Sequence, residues 1–424
     1  MHAMPPDPAK AVTIFHNARL FDGTSPELVD GVTVVVENGR IAEVTAGTVK
    51  SNVARHIDLQ GKCMMPGLID AHFHAYGISM DVTKFDHMPV SLLAHHGARM
   101  LQDTLMRGYT TVRDAAGADF GLAQAVALGL IIGPRVFFAG KSLSQTGGHG
   151  DLRATERLEL CPCGYSGTLS VVVDGEDEVR KAAREELRQG AHQIKLHLSG
   201  GVLSPSDPIW MPQFTDAEIR AAVEEAATRR TYVMAHAHTA DAALRCVRLG
   251  VRSIEHGTLI DNDTARVIAK SDVFVVPTLV IVDRALAFGK QAGMTAVSLG
   301  KLQELSHLGL EAFDRCVREG VKLGFGTDLL GPLHAYQNSE FRLRRQFASA
   351  FDILKSATSV NATLLNRGGE LGVIAPKALA DLLVVDGNPL EDISLFERSQ
   401  ETVQLIMKDG IVFKDTLREG GTLN

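Results

Sequence analysis

The sequence has no apolar run that could cross a bilayer; nothing in it approaches the roughly 18 uninterrupted apolar residues that a membrane span needs. Its first residues, MHAMPPDPAK, lack a cationic segment followed by an apolar one, so no secretory leader is read there. Cysteine is scarce. The five, at positions 63, 161, 163, 246 and 316, are odd in number and form no disulfide framework, which makes a reducing cytoplasm the expected setting. Cys161 and Cys163 form a CPC pair; a structural zinc would need further ligands, so they are read as ordinary loop cysteines. Low-complexity tracts, long charge runs and short-period repeats are also missing. Positive charge is not in excess: the net charge is −7 and the pI about 6.1, so no global field attracts DNA, RNA or an anionic membrane.

What is present is material for a large core. The chain has 424 residues, 45% of them hydrophobic, and a mean hydropathy of +0.05. Residues 11–60 read as short strands: AVTIFHNARLF, GVTVVVENGRIAEV and ARHIDL, separated by Gly and Asn turns. The far end has the same texture in ADLLVVDGNPL and TVQLIMKDGIVF. Two β-rich ends predict a small β-sandwich domain assembled from 1–66 plus 373–424, the chain entering the main domain near Pro66 and leaving it near Gly372. Between them, over 67–372, eight short apolar runs alternate with helical patterns such as DEVRKAAREELRQG and DAEIRAAVEEAATRR. The runs are GLIDAHFHA, YTTVRDAAG, RVFFAGKSL, AHQIKLHLSGG, TYVMAHAHT, VRSIEHGT, VFVVPTLV and VKLGFGTDL. Strand–helix alternation of this kind predicts an α/β fold, a (β/α)8 TIM barrel. A doubly wound open sheet is the alternative, but it does not bring eight strand ends to one mouth.

Polar residues at those strand ends carry the chemistry, because the C-terminal ends of barrel strands face one mouth. Side chains two apart on a strand share a face. His72 and His74 can therefore share one metal, with Asp70 on the same face, and His236 and His238 repeat the spacing. Lys195, His256 and Asp328 fall at the ends of the fourth, sixth and eighth runs. Buried without partners, such groups are costly; a bound metal or a tight polar network makes them tolerable. Lys195 is the odd member, since an ammonium repels a cation. It is a salt-bridge partner, a substrate-binding cation, a Schiff-base lysine, or an amine carbamylated by CO2 into an anionic carboxylate that bridges two metals. His149 lies in the glycine-rich segment TGGHGD. His95 and His96 read as helix surface or packing, and Glu255 as pointing to the opposite face of its strand from His256. His197 can face the mouth, and Trp210 reads either as a pocket cap or as loop packing.

The motifs PGLIDAHFHA, QIKLHLSGG, MAHAHT, SIEHGT and GFGTD, closing with ADLLVVDGNPLED, resemble the amidohydrolase superfamily over nearly the whole chain. Within it the sequence is most similar to the branch of Xaa-Pro and related dipeptidases and ochratoxin-hydrolysing amidohydrolases. The resemblance implies a binuclear centre of two divalent ions, usually Zn2+. It implies that His72 and His74 hold the more buried metal with Asp328, and that His236 and His256 hold the more exposed one. A Lys195 carboxylated by CO2 and a hydroxide would bridge the two. Asp328 is then expected as general base and acid, and His238 and His149 as substrate-facing donors. A GGHG segment lines the substrate pocket in that branch, and large symmetric assemblies are common, so a homo-oligomer is expected.

The expected reaction is hydrolysis of an amide or peptide bond next to a free carboxylate, in a dipeptide, an N-acyl amino acid or ochratoxin A. The expected partner is thus a small molecule and neither nucleic acid nor membrane. The alternative is a mononuclear deaminase or cyclic-amide hydrolase of the same superfamily, against which the lysine in QIKLHL argues. A non-catalytic scaffold should have lost ligands, and all six positions are filled here. Specificity is expected from loops at 142–175, 199–214 and 280–306, long enough to cover a pocket for an aromatic or bulky acyl group.

Overall fold

The computed structural model describes residues 12–82, 84, 88–153, 167–204 and 207–417. Cys161 and Cys163 lie outside the described residues. The chain forms two compact units: Met1–Ile69, Gln102–Thr111 and Arg344–Asn424 make the first, and Asp70–Leu101 with Val112–Leu343 the second. The strands begin with β1 (Thr13–Leu20), β2 (Val29–Glu37), β3 (Arg40–Thr45), β4 (Arg55–Asp58) and β5 (Cys63–Pro66). They continue with β6 (Leu68–Phe73), β7 (Tyr109–Asp114), β8 (Arg135–Phe138), β9 (Ser142–Ser144) and β10 (Ser170–Val172). Next come β11 (Ile194–His197), β12 (Val233–Thr239), β13 (Ser253–Leu259), β14 (Phe274–Val276) and β15 (Lys322–Leu323). The last are β16 (Leu382–Val385), β17 (Val403–Lys408) and β18 (Ile411–Asp415). No helix among the described residues is long and apolar enough to cross a membrane.

In the first unit one sheet runs in the order β18-β17-β16-β5-β1-β2-β3, with β4 beside β1. The N-terminal and C-terminal segments of this unit meet where β5 pairs antiparallel with β16, Pro66 opposite Leu382. One apolar face, with Phe15, Val34, Met64, Leu382 and Met407, forms the core of this unit.

The second unit is an α/β structure with parallel strands. Its larger sheet runs β10-β9-β11-β12-β13-β14-β15, every pairing in it parallel. The smaller sheet runs β6-β7-β8. Leu196, Ala235, Ala237 and Ile254 pack into one apolar cluster with Ile219, Ala222 and Cys246 of the flanking helices. Period-two alternation then turns Lys195, His197, His236 and His238 to the other face. The helices are locally well specified. Thr215 and Glu218 form a reciprocal capping box at Asp216–Thr228, and Gly250, at φ 83°, ends Ala240–Leu249.

Three sequence expectations need correction here. The stretch 142–175, expected as a loop, contains β9 and β10, so the larger sheet has more strands than the apolar runs supplied. The stretch 280–306, also expected as a loop, lies mostly in the helices Leu279–Phe288 and Ala296–Leu305. The run VFVVPTLV is a strand only to Val276. Pro277 has no N–H for the ladder, and the apolar residues after it begin a helix that buries Leu279, Val280 and Ala285.

Candidate active site

The histidine pair of β6 meets Asp328, which follows β15. His74 Nε2 lies 3.0 Å from Asp328 Oδ1 and His72 Nε2 lies 3.4 Å from it. The backbone brings them there: Asp328 N–H donates to His72 O at 2.8 Å, and Ala71 N–H donates to Phe325 O at 2.8 Å. Asp70, fully buried, clamps the same junction. It accepts from Thr327 Oγ1 at 2.6 Å, Gln337 Nε2 at 2.8 Å and His72 N–H at 3.1 Å. Asp328, beyond β15, and His256, within β13, have left-handed backbones, with φ of 55° and 72°, which lets each side chain depart from the alternation of an extended strand.

His256 lies beside this group, its Nδ1 3.9 Å from Asp328 Oδ2 and its ring 4.9 Å from that of His72. His236 stands 4.7 Å from the His256 ring and 4.6 Å from the His238 ring. Lys195 is buried on the same cavity wall, and among the described residues its ammonium has no hydrogen bond or ion pair. Burial depresses it to about 8, against the attraction of Glu255 and Asp328. The structure forms a second compact histidine group as well: His149, His197 and His236 offer ring nitrogens within 4.8 Å of one another. His197, which sequence spacing left open, is buried with Nδ1 unpartnered and Nε2 3.0 Å from Ser142 Oγ. Trp210 is 72% exposed and lines no part of the cavity, and His95 and His96 are exposed on the helix Val90–Met106.

Each ring is oriented from behind. His74 Nδ1 lies 3.1 Å from Ala116 O, His256 Nδ1 2.8 Å from Thr278 Oγ1 and His238 Nδ1 2.9 Å from Thr258 Oγ1. His236 Nε2 lies 3.1 Å from Gly200 O. His72 Nδ1 lies 2.7 Å from Glu255 Oε2. That last contact reverses the expected orientation of Glu255. Ile254 belongs to the helix-facing core, so Ser253 and Glu255 face inward, and the left-handed turn at His256 returns that ring to the same site. Glu255 also accepts from Arg113 Nη2 at 2.9 Å and Ser253 Oγ at 2.6 Å, all three side chains buried. No local sequence signal marks Arg113 and Glu255 beyond charge inside strand runs, which demands a buried partner.

The electrostatics suit cation binding. Burial drives His236, His256 and His197 well below the ordinary imidazole value, so they stay neutral with lone pairs available. Burial opposes the charge of Asp328, yet His72 and His74 hold its carboxyl well below the usual range. His74 is shifted upward by Asp328 in spite of burial. Ligands in a tetrahedral site at roughly 2.0–2.1 Å stand roughly 3.3–3.4 Å from one another. The 3.0 and 3.4 Å separations of His74, His72 and Asp328 fit that donor set. Away from this end, the cavity, about 1430 Å3 including its mouth, is walled by Leu279, Val282, Leu286, Met294, Leu302 and Leu305.

Comparison with known proteins follows the same lines. The sequence model of the amidohydrolase family matches residues 63–412. The ochratoxinase of Aspergillus niger is 30% identical over 429 residues, covering 96% of this chain and 88% of that protein. The crystal structure of a prolidase complexed with N-methylphosphonate-L-proline is 44% identical with a TM-score of 0.93, covering 96% of this chain and 100% of the other. A Xaa-Pro dipeptidase with methionine bound in its active site is 31% identical with a TM-score of 0.86, covering 95% and 100%. Fold, site and relatives define an enzyme that hydrolyses C–N bonds of small molecules. The chain belongs to the amidohydrolase family.

Proposed function

We propose that this enzyme hydrolyses an amide bond next to a free carboxylate, in a dipeptide or an N-acyl amino acid, with a bulky apolar acyl group seated against the leucine-rich wall. The observation that carries the reading is the His72–His74–Asp328 constellation opening into that cavity. A prolidase at 44% identity and an ochratoxinase at 30% both support the substrate class. Ochratoxin A, an amide with a free carboxylate, belongs in the panel for that reason.

The two sheets of the second unit are proposed to close into a (β/α)8 barrel over 67–372, with the termini, 1–66 and 373–424, as a β-sandwich. Ala71 to Phe325 and His192 N–H to Phe138 O, at 2.8 and 2.9 Å, support closure on both sides. In this reading His72, His74 and Asp328 would hold one ion and His236 and His256 a second, with Lys195, once carboxylated, as an anionic ligand available to both. A buried amine with no partner suits that modification. Its neutral nitrogen forms an N–C bond to CO2 and loses a proton, leaving an anion where an ammonium was costly. Two zinc ions bound there would supply Lewis acidity, bringing a water's pKa near neutrality and polarising the scissile carbonyl.

The remaining steps belong to the chain. Asp328 takes the proton of the attacking water on its carboxylate and delivers it to the departing amine nitrogen. His238 is neutral, burial having pushed it down to about 3. Nδ1 lies 2.9 Å from the Thr258 hydroxyl, and in the tautomer in which that hydroxyl donates, the single proton sits on Nε2, where it can donate to the developing oxyanion. His149 lines the same cavity, its ring stacked 4.2 Å from that of His236.

The test is a panel of N-acyl amino acids, dipeptides, their methyl esters and ochratoxin A on zinc-loaded protein, with metal analysis. Release of the free amino acid, loss of rate on esterification and about two ions per chain support the proposal. Ammonia release or cyclic-amide opening with a single ion would replace it with the mononuclear reading.

A further inference from the structure

Lys301 lies on the helix Ala296–Leu305, outside the histidine groups. Its Nζ donates to three backbone carbonyls of one loop: Gly201 O at 3.0 Å, Ser204 O at 2.9 Å and Asp207 O at 2.5 Å. Asp207 Oδ1 is 3.6 Å away. An ammonium has three donors, and all three are used here on main chain. Carbonyl oxygens converging on a positive charge are the makings of a cation site, filled in this protein by a side chain of the neighbouring helix.

The other side of the loop holds His149. The buried Asp207 carboxylate accepts from Gly201 N–H at 3.1 Å, from Gln213 Nε2 at 2.9 Å and from the Ser204 hydroxyl. His149 Nδ1 lies 2.9 Å from Ser204 Oγ and 3.5 Å from Asp207 Oδ2, and its backbone N–H donates to Gln213 Oε1 at 2.9 Å. Since the Ser204 proton goes to Asp207, Ser204 Oγ acts as acceptor from His149 Nδ1–H. That assigns the tautomer and leaves Nε2 with no hydrogen-bond partner among the described residues. The ring rests on the loop backbone: a Cβ at Gly201 would stand 2.3 Å from His149 Cε1, so only glycine permits the approach.

We propose that Lys301 is a positioning residue for His149, tying Gly201, Ser204 and Asp207 together so that Ser204 and Asp207 fix the imidazole from behind. Without the ammonium, three carbonyl dipoles point at one another with no donor between them, and Asp207 loses its counter-charge. The same helix contributes Leu302 and Leu305 to the cavity wall, so the surface proposed to seat the acyl group and the ammonium that ties the His149 support together lie on one element. The effect on catalysis rests on His149 touching substrate, as proposed above; the structural chain from Lys301 to His149 does not.

The experiment uses Lys301→Met and Lys301→Ala in the full-length, zinc-loaded protein, with hydrolysis kinetics, metal content and long-range 1H–15N spectra of histidine-labelled protein. Lys301→Met should lower kcat about 10²-fold, the size expected of a misplacement near 1 Å, with metal content unchanged. The His149 resonance, assigned by its loss in His149→Ala, should lose its Nδ1–H pattern. Ethylammonium should restore activity to Lys301→Ala and ethanol should not. Wild-type kcat with an unchanged His149 resonance overturns the proposal, as does equal rescue by ethanol or loss of activity in step with loss of metal. If Lys301→Met does not fold, Asp207→Asn makes the same test, with the same His149 signature expected and an unchanged resonance as the refuting result. A wild-type enzyme inactive on the whole panel defeats the proposed function alone, since the resonance still reports on Lys301.

Discussion

Glu255→Gln is the most informative single change in the buried network, because its cost can be reached by two routes. The wild-type carboxyl is fully buried, which alone would push it up from its ordinary 4.5, yet it sits at about 2. Arg113, the hydrogen bond from His72 and the charge of Lys195 outweigh burial. At about 1.36 kcal/mol per pH unit, the gap between 4.5 and 2 corresponds to about 3 kcal/mol of folding stability held by the charged form. Independently, removing one partner of a buried ion pair costs about 3–5 kcal/mol, since here Arg113 would be left uncompensated. Glu255→Gln should therefore lose about 3–5 kcal/mol in urea unfolding at pH 7. The folded pKa lies below the unfolded one, so this stability is fully present above pH 4.5 and is lost as pH falls from there through about 2. The difference between wild type and variant should close over that window. The amide still accepts from His72 Nδ1 but without charge, so metal affinity should fall about 10–100-fold. Unfolding within about 0.5 kcal/mol of wild type, with unchanged metal affinity, would refute the positioning of His72 by Glu255.

Three further outcomes are expected. Lys195→Ala should lose activity and most bound metal, and a short carboxylic acid should restore part of the activity; an unmodified amine in a metal-loaded crystal would refute the bridging role. His149→Ala and His238→Ala should keep their metal, measured by elemental analysis, while kcat falls about 10²–10³-fold for loss of an oxyanion donor; a rise in KM alone would assign ground-state carboxylate binding instead. Glu186, pushed up to about 7 by burial, binds its proton more tightly folded than unfolded, so stability should fall as pH rises from 4.5 through about 7. Glu186→Gln should remove that slope and be the more stable protein at pH 8 by roughly 1–3 kcal/mol, read from urea unfolding at several pH values.

Much of this protein was legible from local rules. The HxH spacings at His72–His74 and His236–His238 mark a shared strand face because the pleat repeats every two residues, and alternating apolar runs and amphipathic helices call for parallel strands with helices packed on them. What pattern alone left unread depends on contacts distant in sequence. Glu255 was assigned to the wrong face because a left-handed residue at 256 resets the alternation, which no side-chain pattern announces. Residues 280–306 were expected as a loop because the helicity of this stretch depends on burying Ala285, Leu302 and Leu305 rather than on strong amphipathic charge patterning. The joining of His149 to Lys301 through Ser204 and Asp207, across some 150 residues of chain, is decided by tertiary structure, because hydrogen bonds of that kind carry no sequence period. Residue type and spacing determined which groups can do chemistry here; packing determined which nitrogen of each imidazole faces the cavity, and so what that chemistry is.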